Sequence, residues 1–174
     1  MAPERRKVAL VTGAASGIGR AAATRLAADG WAVAAADLPG EKLDASVAAL
    51  AGADVLKLPI DLSGPGAAAG MTAQMIAEFG APTLVMNNAA TRIGRGFDAP
   101  LDEWRTLMEV NFWALVEACR ALIPVMQAGA GGALVNVGSK QGITNPPGHP
   151  AYNIAKSAVK TYTEGLEHEV RGQT

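Results

Sequence analysis

The chain reads as an α/β protein, a doubly wound parallel sheet forming a single domain of 174 residues. Three observations carry this reading. Short apolar runs of strand length alternate with segments of helix length along the whole chain. The first apolar run ends in a glycine-rich turn that opens straight into a helix. Residues with chemistry to offer fall at the carboxyl ends of the runs, where an open parallel sheet gathers its ligands.

The first strand is Val8 to Val11, ending at Thr12-Gly13 and followed by Ala14-Ala15-Ser16-Gly17-Ile18-Gly19. Glycines at 13, 17 and 19 let the backbone turn sharply and approach a ligand without Cβ clashes. A helix from about Gly17 to Ala28, closed by Gly30, then presents free N–H groups to a pyrophosphate. No Gly-Lys-Ser/Thr follows, which excludes the triphosphate P-loop, and the spacing differs from G-x-G-x-x-G.

The second strand, Trp31 to Ala36, ends at Asp37, 18 residues beyond Gly19. A dinucleotide fold puts an acid near that place, on the adenosine ribose. A carboxylate there accepts from both ribose hydroxyls and repels a 2′-phosphate. Neither Ser16 nor Leu38 supplies a compensating cation, so NAD is favoured over NADP. A helix N-cap before Glu41 is the other role open to Asp37.

Glu41 to Ala51 is a short helix, and Val55 to Ile60 a third strand that ends at Asp61-Leu62. Gly64-Pro65-Gly66 breaks the chain before a helix from about Ala67 to Phe79. Thr83 to Met86 is a fourth strand running into Asn87-Asn88-Ala89-Ala90, whose asparagines could bond neighbouring backbone and draw the chain toward a ligand. Thr91 to Pro100 is a loop carrying Arg92 and Arg95, able either to cover a substrate or simply to be solvated.

Leu101 to about Ala128 is expected to be one long helix, bent or loosened at Pro124. Asn111 in its middle is a poor helix former, so its side chain should have a specific partner. After Gly129 to Gly132 comes a fifth strand, Ala133 to Val137, with Ser139 at its end. A Gly- and Pro-rich loop leads to a helix opening near Ala151, on which Tyr152 and Lys156 lie a turn apart on one face. A free phenol titrates near 10, and an ammonium one turn away favours the phenolate. Ser139 could hold a substrate oxygen against that phenol. Taken singly, the same spacing also describes an ordinary amphipathic surface helix.

Composition bounds the function. The hydrophobic content of 49%, charged content of 18% and net charge of −1 show no nucleic-acid footprint and no anionic-membrane partner. Arg5, Arg6 and Lys7 before Val8 to Val11 imitate a signal peptide only faintly, because the apolar run is too short. Phe112 to Met126 is interrupted by Glu117 and Arg120, so no transmembrane helix is expected. The single cysteine, Cys119, fits a reducing, cytoplasmic setting. His149 and His168 have no neighbours at metal-ligand spacing, so no metal site is expected.

With these residues in place, the chain resembles the short-chain dehydrogenase/reductase family over nearly its whole length. Thr12-Gly13-x-x-x-Gly17-x-Gly19 is similar to the family's cofactor turn, with Ser16 and Ile18 inside it, and Asp37 to its NAD-selecting acid. Asp61-Leu62 resembles its adenine-contacting pair, and Asn87-Asn88-Ala89 its asparagine motif. Asn111, Ser139, Tyr152 and Lys156 resemble its catalytic tetrad, with the 13-residue gap from Ser139 to Tyr152 also fitting.

The resemblance implies a Rossmann sheet of strand order 3-2-1-4-5 and a hydride transfer between nicotinamide and a secondary alcohol or carbonyl. Tyr152 would be the general acid/base and, with Lys156, part of the cofactor site, where Lys156 would bond the nicotinamide ribose and lower the phenol's pKa. Ser139 would orient the substrate oxygen, Asn111 would hold a water that passes the proton to solvent, and Asn88 would belong to the cofactor site. A homodimer or homotetramer formed through helix 101–128 and the Tyr-Lys helix is also implied, with a small alcohol or ketone as substrate.

The chain departs from the family pattern at several points. Ala90 stands where glycine is usual and Gly138 where a serine often precedes the catalytic one. Lys140-Gln141 and Pro146-Pro147-Gly148-His149-Pro150 are unusual and would either shape a substrate mouth or form a rigid loop. Family members continue past the Tyr-Lys helix with two more strands, whereas this sequence stops at Gly172-Gln173-Thr174, so a fragment with an exposed fifth-strand edge is expected. The competing readings are a regulatory protein of the same fold that binds NAD without chemistry, and a scaffold that binds none.

Overall fold

The computed structural model of the protein describes residues 6–129 and 131–171. Arg5, Ala130 in the expected turn after the long helix, and the Gly172-Gln173-Thr174 ending lie outside the described residues.

Five parallel strands, β1 (Val8–Thr12), β2 (Ala32–Asp37), β3 (Val55–Pro59), β4 (Leu84–Asn87) and β5 (Ala133–Asn136), form a sheet in the order β3-β2-β1-β4-β5. Every residue of the central β1 is buried, as a strand covered on both faces requires. Its register sets Leu10 against Ala34 on one side and against Val85 on the other.

Alternation along the strands divides the core. Val8, Leu10, Ala32, Ala34 and Ala36 point to one face, where α3 (Ala67–Phe79) and α5 (Ala114–Ala128) supply Met71, Met75, Leu122 and Met126. Val11, Val33 and Ala35 point to the other, against Ala23 and Leu26 of α1 (Gly17–Ala28) and Val47 of α2 (Glu41–Ala48). The many alanines in β2 let α1 and α3 lie close to the sheet. Burial is the main stabilising term here, at about 25 cal/mol per Å² of apolar surface.

The single helix expected over 101–128 is instead three segments. After α4 (Leu101–Met108), residues Glu109–Trp113 form a π turn, and α5 then continues as α-helix through Pro124. The widened turn is centred on Asn111, whose side chain reaches outside the helix. The segment between β5 and the last helix, expected as plain loop, holds one helical turn, α6 (Gln141–Thr144). The final helix, α7 (Pro150–Val170), starts with its proline in the first turn, where a missing N–H costs nothing. Tight α6–α7 packing follows from Gly142, since a Cβ there would sit 2.6 Å from the Lys156 carbonyl carbon. Among the described residues no helix is long and apolar enough to cross a membrane.

Candidate functional site

The carboxyl ends of the strands open into a cleft of about 810 Å³. Gly13, Ser16, Gly17, Ile18, Asp37, Asp61, Leu62, Asn88, Ser139, Tyr152 and Lys156 all line it. Gly19 and Asn111, also expected at the site, do not.

The glycine turn is built from the inside. Gly13 has φ +70, and a Cβ on it would meet Asn88 Nδ2 at 2.6 Å. A Cβ on Gly19 would fall 2.1 Å from the Gly13 carbonyl oxygen, so Gly19 is what allows the turn to close on α1. Gly17 has φ +49 and faces open space. Asn88 locks the turn from β4, its Nδ2 donating to the carbonyls of Thr12 at 3.0 Å and Gly13 at 3.3 Å. The Thr12 hydroxyl accepts from the N–H groups of Asn88 and Ala89, both at 3.0 Å. Ser46, which no local pattern marks, donates from α2 to the Ala14 carbonyl at 2.7 Å.

The acids sit toward the β2–β3 side. Asp37 accepts from the N–H of Ala15 at 2.8 Å and of Leu38 at 2.8 Å, so it ties the end of β2 to the glycine turn while still lining the cleft. Asp61 accepts from the Ser63 N–H at 2.9 Å and hydroxyl at 2.7 Å, and these bonds hold its carboxyl below the usual range.

At the other end, Lys156 is 3% exposed and donates to the Val137 carbonyl at 2.7 Å. Burial, reinforced by the nearby Arg92 charge, pulls it down from 10.5 to about 8. Its ammonium lies 5.8 Å from the centroid of the Tyr152 ring, and the Arg92 guanidinium lies 4.9 Å from the same centroid. Tyr152 is 7% exposed and packs on Leu107 and Ala155. The Ser139 oxygen accepts from the Gln141 N–H at 3.2 Å, which leaves its hydroxyl hydrogen free to turn to a ligand.

Asn111 is 2% exposed and works from beneath. Its Oδ1 accepts from the Thr91 N–H at 2.7 Å and its Nδ2 donates to the Thr91 carbonyl at 2.9 Å. The specific partner expected from the sequence is therefore a loop backbone. Behind β4 and β5, Asn87 donates to Asn136 at 2.9 Å and Asn136 to the Thr163 hydroxyl at 3.0 Å. The first asparagine of the pair thus joins two strands to α7, and only the second faces the turn. Burial pushes the Cys119 thiol beside this chain up to about 11, which disfavours its thiolate.

The cleft presents unused donors of the kind that a dinucleotide would engage. The N-cap Ser16 makes no side-chain cap bond, so the first N–H groups of α1, from Gly17 and Ile18, are left for a ligand where both residues line the cleft. Lys156 uses one of its three donors on Val137 and is too buried to give the rest to bulk water.

Comparison with known proteins gives a consistent result. Residues 7–174 match the sequence model of the short chain dehydrogenase family. The chain is 34% identical to SadH of Mycobacterium tuberculosis over 167 residues, 94% of this chain, and spans 60% of that relative's length. A short chain dehydrogenase/reductase from Burkholderia phymatum in complex with NAD superposes with TM-score 0.91 and 31% identity, over 100% of this chain and 63% of that one. A metagenomic short-chain oxidoreductase in complex with NADP superposes with TM-score 0.89 and 30% identity, over 96% and 76% of the two chains.

Proposed function

The chain belongs to the short-chain dehydrogenase family, and from that premise we propose that it carries the dinucleotide site and proton-transfer residues of an NAD-dependent oxidoreductase acting on a secondary alcohol or carbonyl. The observation that carries this reading is the convergence of Ser139, Tyr152 and the buried Lys156 on the same cleft as the glycine turn. NAD, when bound, accepts or supplies the hydride.

Gly13, Ser16, Gly17 and Ile18 would hold the pyrophosphate against the start of α1. Asp37 would take the adenosine ribose, Asp61 and Leu62 the adenine, Asn88 would shape the turn, and Lys156 would donate to the nicotinamide ribose. Tyr152 exchanges a proton with the substrate oxygen through its phenolic oxygen. Ser139 donates to the same substrate oxygen with the hydrogen that Gln141 leaves free. Lys156 keeps a positive charge beside the phenol, being mostly protonated at pH 7 with a value of about 8. Asn111 holds Thr91 and with it the cleft wall, and a relay water would have to use its remaining acceptor capacity or its backbone. NAD rather than NADP is favoured by the Asp37 carboxylate, since the two cations lining the cleft, Arg92 and Lys156, lie at its Tyr152 end.

Titration with NADH and NADPH, followed by fluorescence, tests the cofactor reading, with tighter NADH binding expected. Tyr152→Phe tests the chemistry. The variant should keep its NADH affinity and lose turnover by about 10²-fold or more. A regulatory protein would lose nothing, and a scaffold would bind neither nucleotide.

A further inference from the structure

We propose that the substrate carries a carboxylate near its reacting C–O group and that Arg92 binds it, an inference that rests on the oxidoreductase reading above. The cleft is polarised. Its lining acids, Asp37 and Asp61, follow β2 and β3, whereas its lining cations, Arg92 and Lys156, flank Tyr152. Lys156 has a partner in the Val137 carbonyl. Arg92 has none of that kind, for among the described residues its guanidinium makes no ion pair and no hydrogen bond, only the face-on contact with the Tyr152 ring. Its planar set of N–H donors is therefore free, and that fork matches a carboxylate in two-point contact.

The backbone that carries Arg92 is fastened on both sides. Thr91 is clasped through its N–H and carbonyl by Asn111, and the Gly94 N–H donates to the Glu103 carboxylate at 2.8 Å. Further along the loop, the Gly96 N–H donates to the Gly148 carbonyl at 3.2 Å, joining it to the Pro-rich segment before α7. The Arg92 side chain itself is exposed to solvent at the cleft, and its charge weighs on the buried Lys156 ammonium, a repulsion that a substrate anion would offset.

The test uses calorimetric binding of three oxo acids that differ by one methylene each (pyruvate, acetoacetate and levulinate) and of their methyl esters, with and without NADH, on the protein and on Arg92→Gln and Arg92→Lys. At least one acid is expected to bind tenfold or more tightly than its ester. That preference should vanish in Arg92→Gln, survive in part in Arg92→Lys and weaken with added salt, while NADH affinity stays constant. The proposal is overturned if no acid is preferred over its ester, if Arg92→Gln keeps the preference, or if that variant loses NADH affinity instead, which would assign the guanidinium to the cofactor. Failure of NADH to bind the unaltered protein would count against the cofactor reading alone, because acid and ester are compared without NADH as well.

Discussion

The ammonium of Lys156, 3% exposed, gives the folded chain a definite dependence on pH. Its value falls from 10.5 to about 8 on folding because burial disfavours the charged form. Below pH 8 both folded and unfolded states carry the proton, and the folded state bears the cost of burying it. Between 8 and 10.5 the unfolded chain binds the extra proton, so this group makes stability rise with pH across that window. Cys119 and Tyr162 act in the opposite direction, since burial raises them to about 11 and about 12 and stability falls as pH climbs above their ordinary values. The difference between the protein and Lys156→Met isolates the lysine. Urea unfolding of both from pH 7 to 10 should show the unaltered protein gaining on the variant by up to roughly 3 kcal/mol. Parallel curves would mean that the ammonium is solvated in the free protein.

Among the elements, the π turn Glu109–Trp113 carries a side chain, Asn111, that reaches out to a loop. Asn111 satisfies both backbone groups of Thr91, a residue 20 positions away. Asn111→Ala would leave these groups unpaired, at about 1–3 kcal/mol. The better helix propensity of alanine returns about 0.5 kcal/mol, so the lost bonds win. Denaturant unfolding should therefore show a net loss of about 1–2 kcal/mol, and no change would indicate that water reaches Thr91. The sequence marked Asn111 as a misfit in its helix, yet its partner and the widened turn were not legible. The α6 turn was hidden for a similar reason. It depends on Gly142 admitting the backbone of α7 at a distance that only packing decides.

At the scale of the described sheet, its two outer strands differ. β3 carries Lys57, ion-paired with Asp44 at 2.9 Å, and Pro59, both of which discourage pairing with another chain. β5 reads Ala-Leu-Val-Asn without such protection, and its Val135 is 44% exposed. In the 174 residues taken by themselves, this edge should favour self-association. Val135→Lys is expected to slow aggregation at high protein concentration, measured by light scattering, with the melting temperature nearly unchanged. Equal aggregation of both proteins would place the adhesive surface elsewhere.

Local spacing put the glycine turn, the acids after β2 and β3, Asn88, Ser139 and the Tyr152–Lys156 pair at strand ends or on one helical turn, and the family resemblance singled them out as site residues. A parallel sheet then brings them to one cleft with no further information. The tertiary structure alone decided which of those residues face the cleft and which support it. It put Gly19 under the turn and Asn111 on Thr91, gave Asn87 to Asn136, and laid Arg92 over Tyr152. The physical reason is range. Periodicity and turn chemistry act over a few residues, whereas these contacts join positions 6 to 60 apart in the chain, and a buried polar group takes whichever partner the packing brings within reach.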